Sequence, residues 1–185
     1  MSPWAINRLS KAVEQGAVIA YPSDTIWGFG CHPLRPNSVD RILQIKRRSA
    51  SKGLILLSSD LEFCLPYIDN NLIADKISLL QQSHAQPTTW LIPASQHCPI
   101  WLRGGFPTVA IRITQHPFIR SLCRKLESPI VSTSANLAGN TPVRNSIQAH
   151  YQFANQLDYI ITGYQLGTGR ASEIKSLENG DTIRP

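Results

Sequence analysis

Apolar and polar positions along the chain alternate between helical and extended periods. Behind Ser2-Pro3, a capping hydroxyl followed by proline at a first helical position, Trp4, Leu9, Ala12 and Val13 recur at helical spacing, and Gly16 closes the segment. Residues 17–21 form a compact apolar run, read as a buried strand that Pro22 ends. Val39, Ile42, Leu43 and Ile45 share one face of a second helix, with Asn37 or Ser38 as its cap. Residues 54–57 read as a short strand, 60–65 as a short helix, and 70–82 as a longer helix with Leu72, Ile73, Ile77, Leu79 and Leu80 inward. Residues 88–92 are β-prone and Pro93 ends them, 99–107 read as a mobile loop, and 108–113 alternate as a strand. A helix over 116–126, a strand from Pro129, a helix over 146–156 and a strand over 157–161 follow. Gly163, Gly167 and Gly169 mark a flexible loop ending at Arg170. Residues 174–177 and 182–184 form a hairpin around Asn179-Gly180, the strongest turn signal in the sequence.

Strands and helices alternate irregularly and finish in a hairpin. The fold expected is therefore α/β of the α+β type, a twisted mixed parallel/antiparallel sheet flanked by helices. At 185 residues, with no linker, repeat or low-complexity tract, one domain over 1–185 is expected. No run of about 18 apolar residues is present, so no membrane span is expected. Residues 1–4 lack a basic n-region and an apolar h-region, so no signal peptide is expected and the chain is placed in the cytoplasm. Cys31, Cys64, Cys98 and Cys123 are scattered with no Cys-x-x-Cys pair, which excludes the usual zinc and redox motifs. Cys31-His32 and His97-Cys98 are adjacent pairs, but neighbours in a strand point to opposite faces, so no metal site is assigned.

A net charge of +6 points to anionic partners such as phosphate or RNA. The densest cationic stretch is Lys46-Arg47-Arg48-Ser49-Ala50-Ser51-Lys52, between a helix and an apolar strand. Its composition suits a nucleic-acid backbone, a nucleotide triphosphate or solvent. Two polar clusters follow buried strands: residues 21–30, whose Gly28 and Gly30 allow close backbone approach, and Ser132-Thr133-Ser134-Ala135-Asn136. Each has a plain alternative, a tight turn with aromatic packing for the first and a capping turn for the second.

Four stretches together resemble one family. Tyr21-Pro22-Ser23-Asp24-Thr25-Ile26-Trp27-Gly28-Phe29-Gly30 resembles a Tyr-Pro-Thr-[Asp/Glu]-Thr-x-[Tyr/Trp]-Gly-[Leu/Phe]-Gly motif. Lys46-Arg47-Arg48 with Lys52 resembles a Lys-x-Arg loop. Val109-Ala110-Ile111-Arg112 with His116-Pro117, and Ser134-Ala135-Asn136 with Gly139 behind it, complete the set. The set resembles the YrdC-like family, the threonylcarbamoyl-AMP synthases, and the length is similar to that of its short, single-domain bacterial form. The resemblance implies a YrdC-like fold with a concave basic pocket. It implies an enzyme that makes L-threonylcarbamoyl-AMP and pyrophosphate from ATP, L-threonine and bicarbonate, with Mg2+ accompanying ATP. The product would serve threonylcarbamoylation of adenosine-37 in tRNAs that read codons starting with A, through separate downstream tRNA threonylcarbamoyltransferase proteins.

By the same resemblance Lys46 and Arg48 are the catalytic cations. ATP would be held by Lys46, Arg48, Lys52, Thr89, Ser134, Asn136 and Arg184, and threonine by Ser23, Arg112, Ser132 and Ser172. Fixed cations at a leaving pyrophosphate stabilise its growing charge, and a guanidinium fork suits a carboxylate. Three departures from the family pattern stand out. Ser23 replaces threonine and keeps the hydroxyl, Ala85-Gln86-Pro87-Thr88-Thr89 replaces Pro-Gly-Pro-x-Thr, and Leu57 stands where longer relatives place histidine. The competing reading is an RNA-binding or ribosome-maturation module without enzymatic activity, supported by the charge. No aromatic-interleaved basic stretch accompanies that charge, and RNA or tRNA is kept as a weak partner only.

Overall fold

Side chains along Thr108–Ile113 (β5) alternate between two faces of a sheet, and that alternation decides where the core and the cavity lie. The chain is described by a computed structural model covering residues 1–69, 76, 79–80, 86–163, 166 and 169–185. The other strands are β1 Ile19–Tyr21, β2 Gly28–Cys31, β3 Ile55–Ser58, β4 Thr88–Pro93, β6 Ile130–Ser134, β7 Tyr159–Ile160, β8 Glu173–Ser176 and β9 Thr182–Arg184. Helices are α1 Pro3–Glu14, α2 Pro36–Lys46, α3 Ile100–Arg103, α4 Pro117–Leu126 and α5 Ser146–Phe153. Among the described residues the strands form one sheet in the order β7-β1-β2-β6-β3-β5-β4-β8-β9. The pairs β1·β7, β3·β5 and β4·β8 are parallel and the other neighbours antiparallel, so the sheet is mixed as expected.

Phe29, Leu56, Trp90, Ile92, Val109, Ile111 and Val131 occupy one face, where Val39, Ile42 and Ile45 of α2 and Ala149 and Phe153 of α5 cover them. The opposite face is divided. At one end Ile19, Leu57 and Ile130 pack on Leu9 and Val13 of α1 and Ile119 and Leu122 of α4. Two residues along the same strands, Leu57 gives way to Ile55 and Ile130 to Ser132, and there the sheet floors a cavity. Arg112 is the register partner of Leu57, at the boundary between packed and open halves.

The expected Ser2 cap holds, and several other local expectations change. Ser2 caps α1, its hydroxyl accepting from the Ala5 amide at 3.3 Å. Trp4 is 70% exposed while Ile6, Leu9 and Val13 are buried. Trp4 lies five residues from Leu9, roughly 140° around a 3.6-residue helix, so it cannot share that face. Helix α2 starts at Pro36 with Arg35 as N-cap and no side-chain cap bond. The Ser38 hydroxyl instead donates to the Gly16 carbonyl at 2.7 Å. Pro93 is the last residue of β4, paired with Thr108. The helix expected over 70–82 and Gly167 lie largely or wholly outside the described residues.

Gly28 and Gly30 belong to strand β2, where a ligand loop was expected. What approaches them closely is protein: a Cβ on Gly30 would sit 2.8 Å from both the Tyr21 ring and the Val131 carbonyl. Gly30→Ala is expected to lower stability by about 1–3 kcal/mol through overpacking. An unchanged urea midpoint would show that the Tyr21 ring gives way freely.

The segment 99–107, expected to be mobile, is docked. Leu102 is fully buried, and the Trp101 indole N–H donates to the Pro33 carbonyl at 3.0 Å.

Candidate active site

The cavity on the open half of the sheet has a volume of about 330 Å³. Its floor comes from β3, β5, β6 and β4, through Ile55, Thr108, Ala110, Ser132 and Leu91. Its walls come from the 23–28 segment, the loop after α2, α3 and its following turn, and the β8–β9 hairpin. Five cations line it (Arg48, Lys52, Arg103, Arg112 and Arg184), and no Asp or Glu does among the described residues. Apolar wall is supplied by Trp27, Leu54, Leu102, Phe106, Ile174 and Ile183. Such a lining suits a polyanion with an apolar or aromatic portion.

One corner of the cavity is built around Arg112. Its guanidinium donates to Thr25 Oγ1 at 2.8 Å and to Asp24 Oδ1 at 3.2 Å, and it is only 4% exposed. Its Nε is buried without a hydrogen-bond partner. Ser23 continues the network. Its hydroxyl shares a 3.0 Å hydrogen bond with Thr25 Oγ1, donates to the Ile26 carbonyl at 2.7 Å and accepts from the Thr25 amide. Tyr21 donates to Ser132 Oγ at 2.7 Å and fixes that hydroxyl at the cavity edge. Burial is the first cause that pushes the Tyr21 phenol well above its ordinary value, so it stays a donor.

A second corner lies at the end of α2. Arg47 closes the helix in the left-handed conformation (φ 51°), and the chain turns into a single 3-10 turn at Ala50–Lys52. Arg47 is exposed, whereas Arg48 and Lys52 line the cavity. Arg48 Nη2 donates to the carbonyls of Gly53 at 3.0 Å and Lys52 at 3.4 Å. Burial lowers the pKa of Arg48, and burial followed by the charges of Arg112 and Arg48 lowers that of Arg184. These guanidiniums therefore feel one another, and an anion between them relieves the repulsion.

Of the eleven residues expected from sequence, Ser23, Arg48, Lys52, Arg112, Ser132, Ser134, Ser172 and Arg184 line the cavity. Lys46, Thr89 and Asn136 sit behind it. Lys46 is 2% exposed, and its ammonium donates to the carbonyl and hydroxyl of Ser134 and to the carbonyl and Oδ1 of Asn136. It thus ties α2 to the 134–136 turn. Thr89 is buried and shares a 2.7 Å hydrogen bond with the Ser172 hydroxyl. Asn136 Nδ2 donates to the Asn140 carbonyl at 2.5 Å, and its Oδ1 accepts from Ser134 Oγ at 2.6 Å.

Sequence reasoning passed over Asp24, Thr25, Tyr21, Arg103 and Phe106. Asp24 and Thr25 stood inside a recognised motif, but their partner Arg112 is 87 and 88 residues away, a pairing no local pattern displays. Among the described residues no group of three or more His, Cys, Asp or Glu could hold a metal ion, and no helix is long and apolar enough to cross a membrane.

Burial first, then the Arg48 charge, pushes the Lys46 pKa down to about 8. The folded value lies below the ordinary one, so between about pH 8 and 10.5 the unfolded chain binds more protons and this site's contribution to stability rises with pH. The tie to Ser134 and Asn136 depends on charge and weakens over the same window. Activity is expected to fall as pH rises past about 8, where half of Lys46 has lost its proton. A rate profile flat to about pH 9.5 would remove the Lys46 charge from the mechanism.

Comparison with known proteins identifies the family. The family model Sua5/YciO/YrdC, described as telomere recombination, matches residues 11–185. A threonylcarbamoyl-AMP synthase of Cellvibrio japonicus is 38% identical over 97% of this chain and 95% of its own length. One of Nitrosococcus oceani is 40% identical over 98% and 97%. The structure of P. abyssi Sua5 complexed with L-threonine superposes with a TM-score of 0.88 at 26% identity, covering 98% of this chain and 53% of that longer one. With the family model matched from residue 11 onward and these relatives aligned nearly end to end, the chain belongs to the Sua5/YciO/YrdC family.

Proposed function

We propose that this chain is a threonylcarbamoyl-AMP synthase, forming L-threonylcarbamoyl-AMP and pyrophosphate from L-threonine, bicarbonate or CO₂, and ATP. The observation that carries the reading is one cavity with five lining cations and no lining carboxylate among the described residues, one of those cations, Arg112, being buried in a hydroxyl-rich corner. The threonine carboxylate goes to Arg112, where the guanidinium already binds oxygen acceptors. Ser23, Ser132 and Ser172 supply hydroxyls to the amino acid. Arg48, Lys52 and Arg184 hold the triphosphate, with Ser134 beside them. Thr89, Lys46 and Asn136 act from behind, on Ser172 and Ser134.

The reaction takes two steps. The neutral amine of threonine adds to the carbon of CO₂ and releases a proton, or to that of bicarbonate, where the amine proton leaves with the hydroxyl as water; either route gives N-carboxythreonine. A carbamate oxygen then attacks the α-phosphorus of ATP, a new P–O bond forms, and the bond to the β-phosphate oxygen breaks to expel pyrophosphate. Among the described residues the lining offers no acid–base pair for this chemistry, so its contribution is orientation and electrostatic stabilisation of the leaving charge. Mg2+ enters as part of the substrate, on ATP oxygens and water, because the lining provides it no carboxylate among the described residues. The product is a mixed acyl-phosphate anhydride, and the reaction that consumes it is acyl transfer to the tRNA adenosine by separate proteins.

A half-open cavity of this size suits small molecules better than an RNA track, and the near full-length synthase relatives favour the same choice. The test is pyrophosphate release from ATP and bicarbonate that requires L-threonine. Release that continues undiminished without threonine would reject the proposal.

A further inference from the structure

The segment 100–105 reaches the cavity with Leu102 and Arg103, and its backbone is also bonded to the cationic loop and the residue that follows it. The Leu54 amide donates to the Leu102 carbonyl at 2.8 Å, and the Gly105 amide donates to the Ser51 carbonyl at 3.2 Å. Between these bonds two glycines interlock. A Cβ on Gly104 (φ +64°, ψ −139°) would fall far inside contact distance of the Ser51 carbonyl oxygen and 2.6 Å from the Gly53 nitrogen. A Cβ on Gly53 (φ +61°) would lie 3.0 Å from the Arg103 carbonyl oxygen. Both obstacles are backbone, which cannot rotate aside. The segment is itself anchored by the buried Leu102 side chain and by the bond from the Trp101 indole to Pro33. On the far side of the interlock, the carbonyls of Lys52 and Gly53 accept the Arg48 guanidinium.

We infer that Gly104 is a positioning residue for the phosphate end of the cavity: its bare backbone seats the 51–53 turn, and that turn aims Arg48 and Lys52. The inference rests on the proposed binding of ATP at these cations. It separates the two substrates, because Arg112 is oriented by Asp24 and Thr25 and draws nothing from segment 100–105. A Cβ at Gly104 displaces the turn and with it two cations, while the threonine corner keeps its geometry. Loss of packing alone would instead affect both substrates.

The test is Gly104→Ala in the full chain, with Gly105→Ala beside it, where an added Cβ meets only the Ser51 carbonyl oxygen at 4.0 Å. Gly104→Ala is expected to raise KM for ATP by about tenfold or more, since displacements near 1 Å at a reacting group carry such costs. KM for threonine is expected to change little, and Gly105→Ala to have a much smaller effect on either. Hydrogen exchange gives a readout independent of turnover: amides of 51–54 exchange faster in Gly104→Ala, while those of β5 and β6 stay protected. Trp101→Phe, which removes the anchoring N–H together with part of the indole ring, loosens the same segment without inserting an atom and is expected to shift KM for ATP alone, to a smaller extent. Equal changes in both KM values, or unchanged exchange at 51–54, would overturn the inference. A wild-type chain that releases no pyrophosphate would instead overturn the proposed reaction, with the exchange data still deciding whether Gly104 seats the loop.

Discussion

Arg48→Ala is expected to lower kcat/KM for ATP by about 10²–10³, the usual cost of removing one preorganised group that meets developing charge. Arg48 lines the cavity, and its guanidinium is held by two backbone carbonyls, so in the proposed reaction it would meet the phosphates without first having to be ordered. Charge on the departing pyrophosphate grows as the α–β bond lengthens, and a fixed cation there stabilises the transition state more than bound ATP. The loss should therefore appear in kcat as well as KM. Lys at this position restores the charge but not the fork, and is expected to recover only part of the activity. Pyrophosphate release measured at saturating threonine, with the thermal midpoint as control for folding, checks this. A variant with wild-type kcat would place the phosphates elsewhere.

Arg112→Lys is expected to lower kcat/KM for threonine by about 10²-fold, the lower part of the range for truncating one partner of a buried, hydrogen-bonded charge pair. A lysine ammonium is a point charge, whereas Arg112 engages Thr25 and Asp24 with separate nitrogens and leaves Nε without a hydrogen-bond partner. Lysine would have to abandon one of these partners to reach a substrate carboxylate. KM for ATP should move far less. The more severe Arg112→Ala also removes the cation beside Asp24, whose side chain is 24% exposed. Its stability cost is therefore expected at about 1–3 kcal/mol, below that for breaking a fully desolvated pair. Chemical denaturation and threonine titration separate the two effects. Loss of ATP and threonine affinity in equal measure would show that Arg112 does not belong to one substrate.

Legibility in the sequence depended on how far each residue's partner lay along the chain. Thr108–Ile113 was readable because alternation is a local property, and so was the β8–β9 hairpin, whose turn carries Asn179-Gly180. Gly28–Cys31 was not readable as a strand, because its glycines answer to the Tyr21 ring and the Val131 carbonyl on neighbouring strands. Segment 99–107 looked mobile for the same reason: its glycines signal freedom when read alone, yet Gly104 is pressed against Ser51 and Gly53. Lys46 stood in a run of cations and was grouped with them. The helix reaches through residue 46, however, and carries its ammonium to Ser134 and Asn136, 88 and 90 residues away. The motifs brought the right segments into view, while the division between residues at the cavity and residues behind it came only from the sheet register.

The two faces of the sheet carry different duties through a single layer of backbone. Val109 and Ile111 are locked into the larger core, while Thr108, Ala110 and Arg112, interleaved with them on β5, meet the cavity or its corner. Substrate range and robustness are thus encoded at alternate positions of one strand. Laboratory evolution toward other amino acids can sample Ala110 or Thr108 without drawing on the core that keeps the chain folded, whereas a screen for heat tolerance should collect its gains at the intervening positions and leave selectivity untouched.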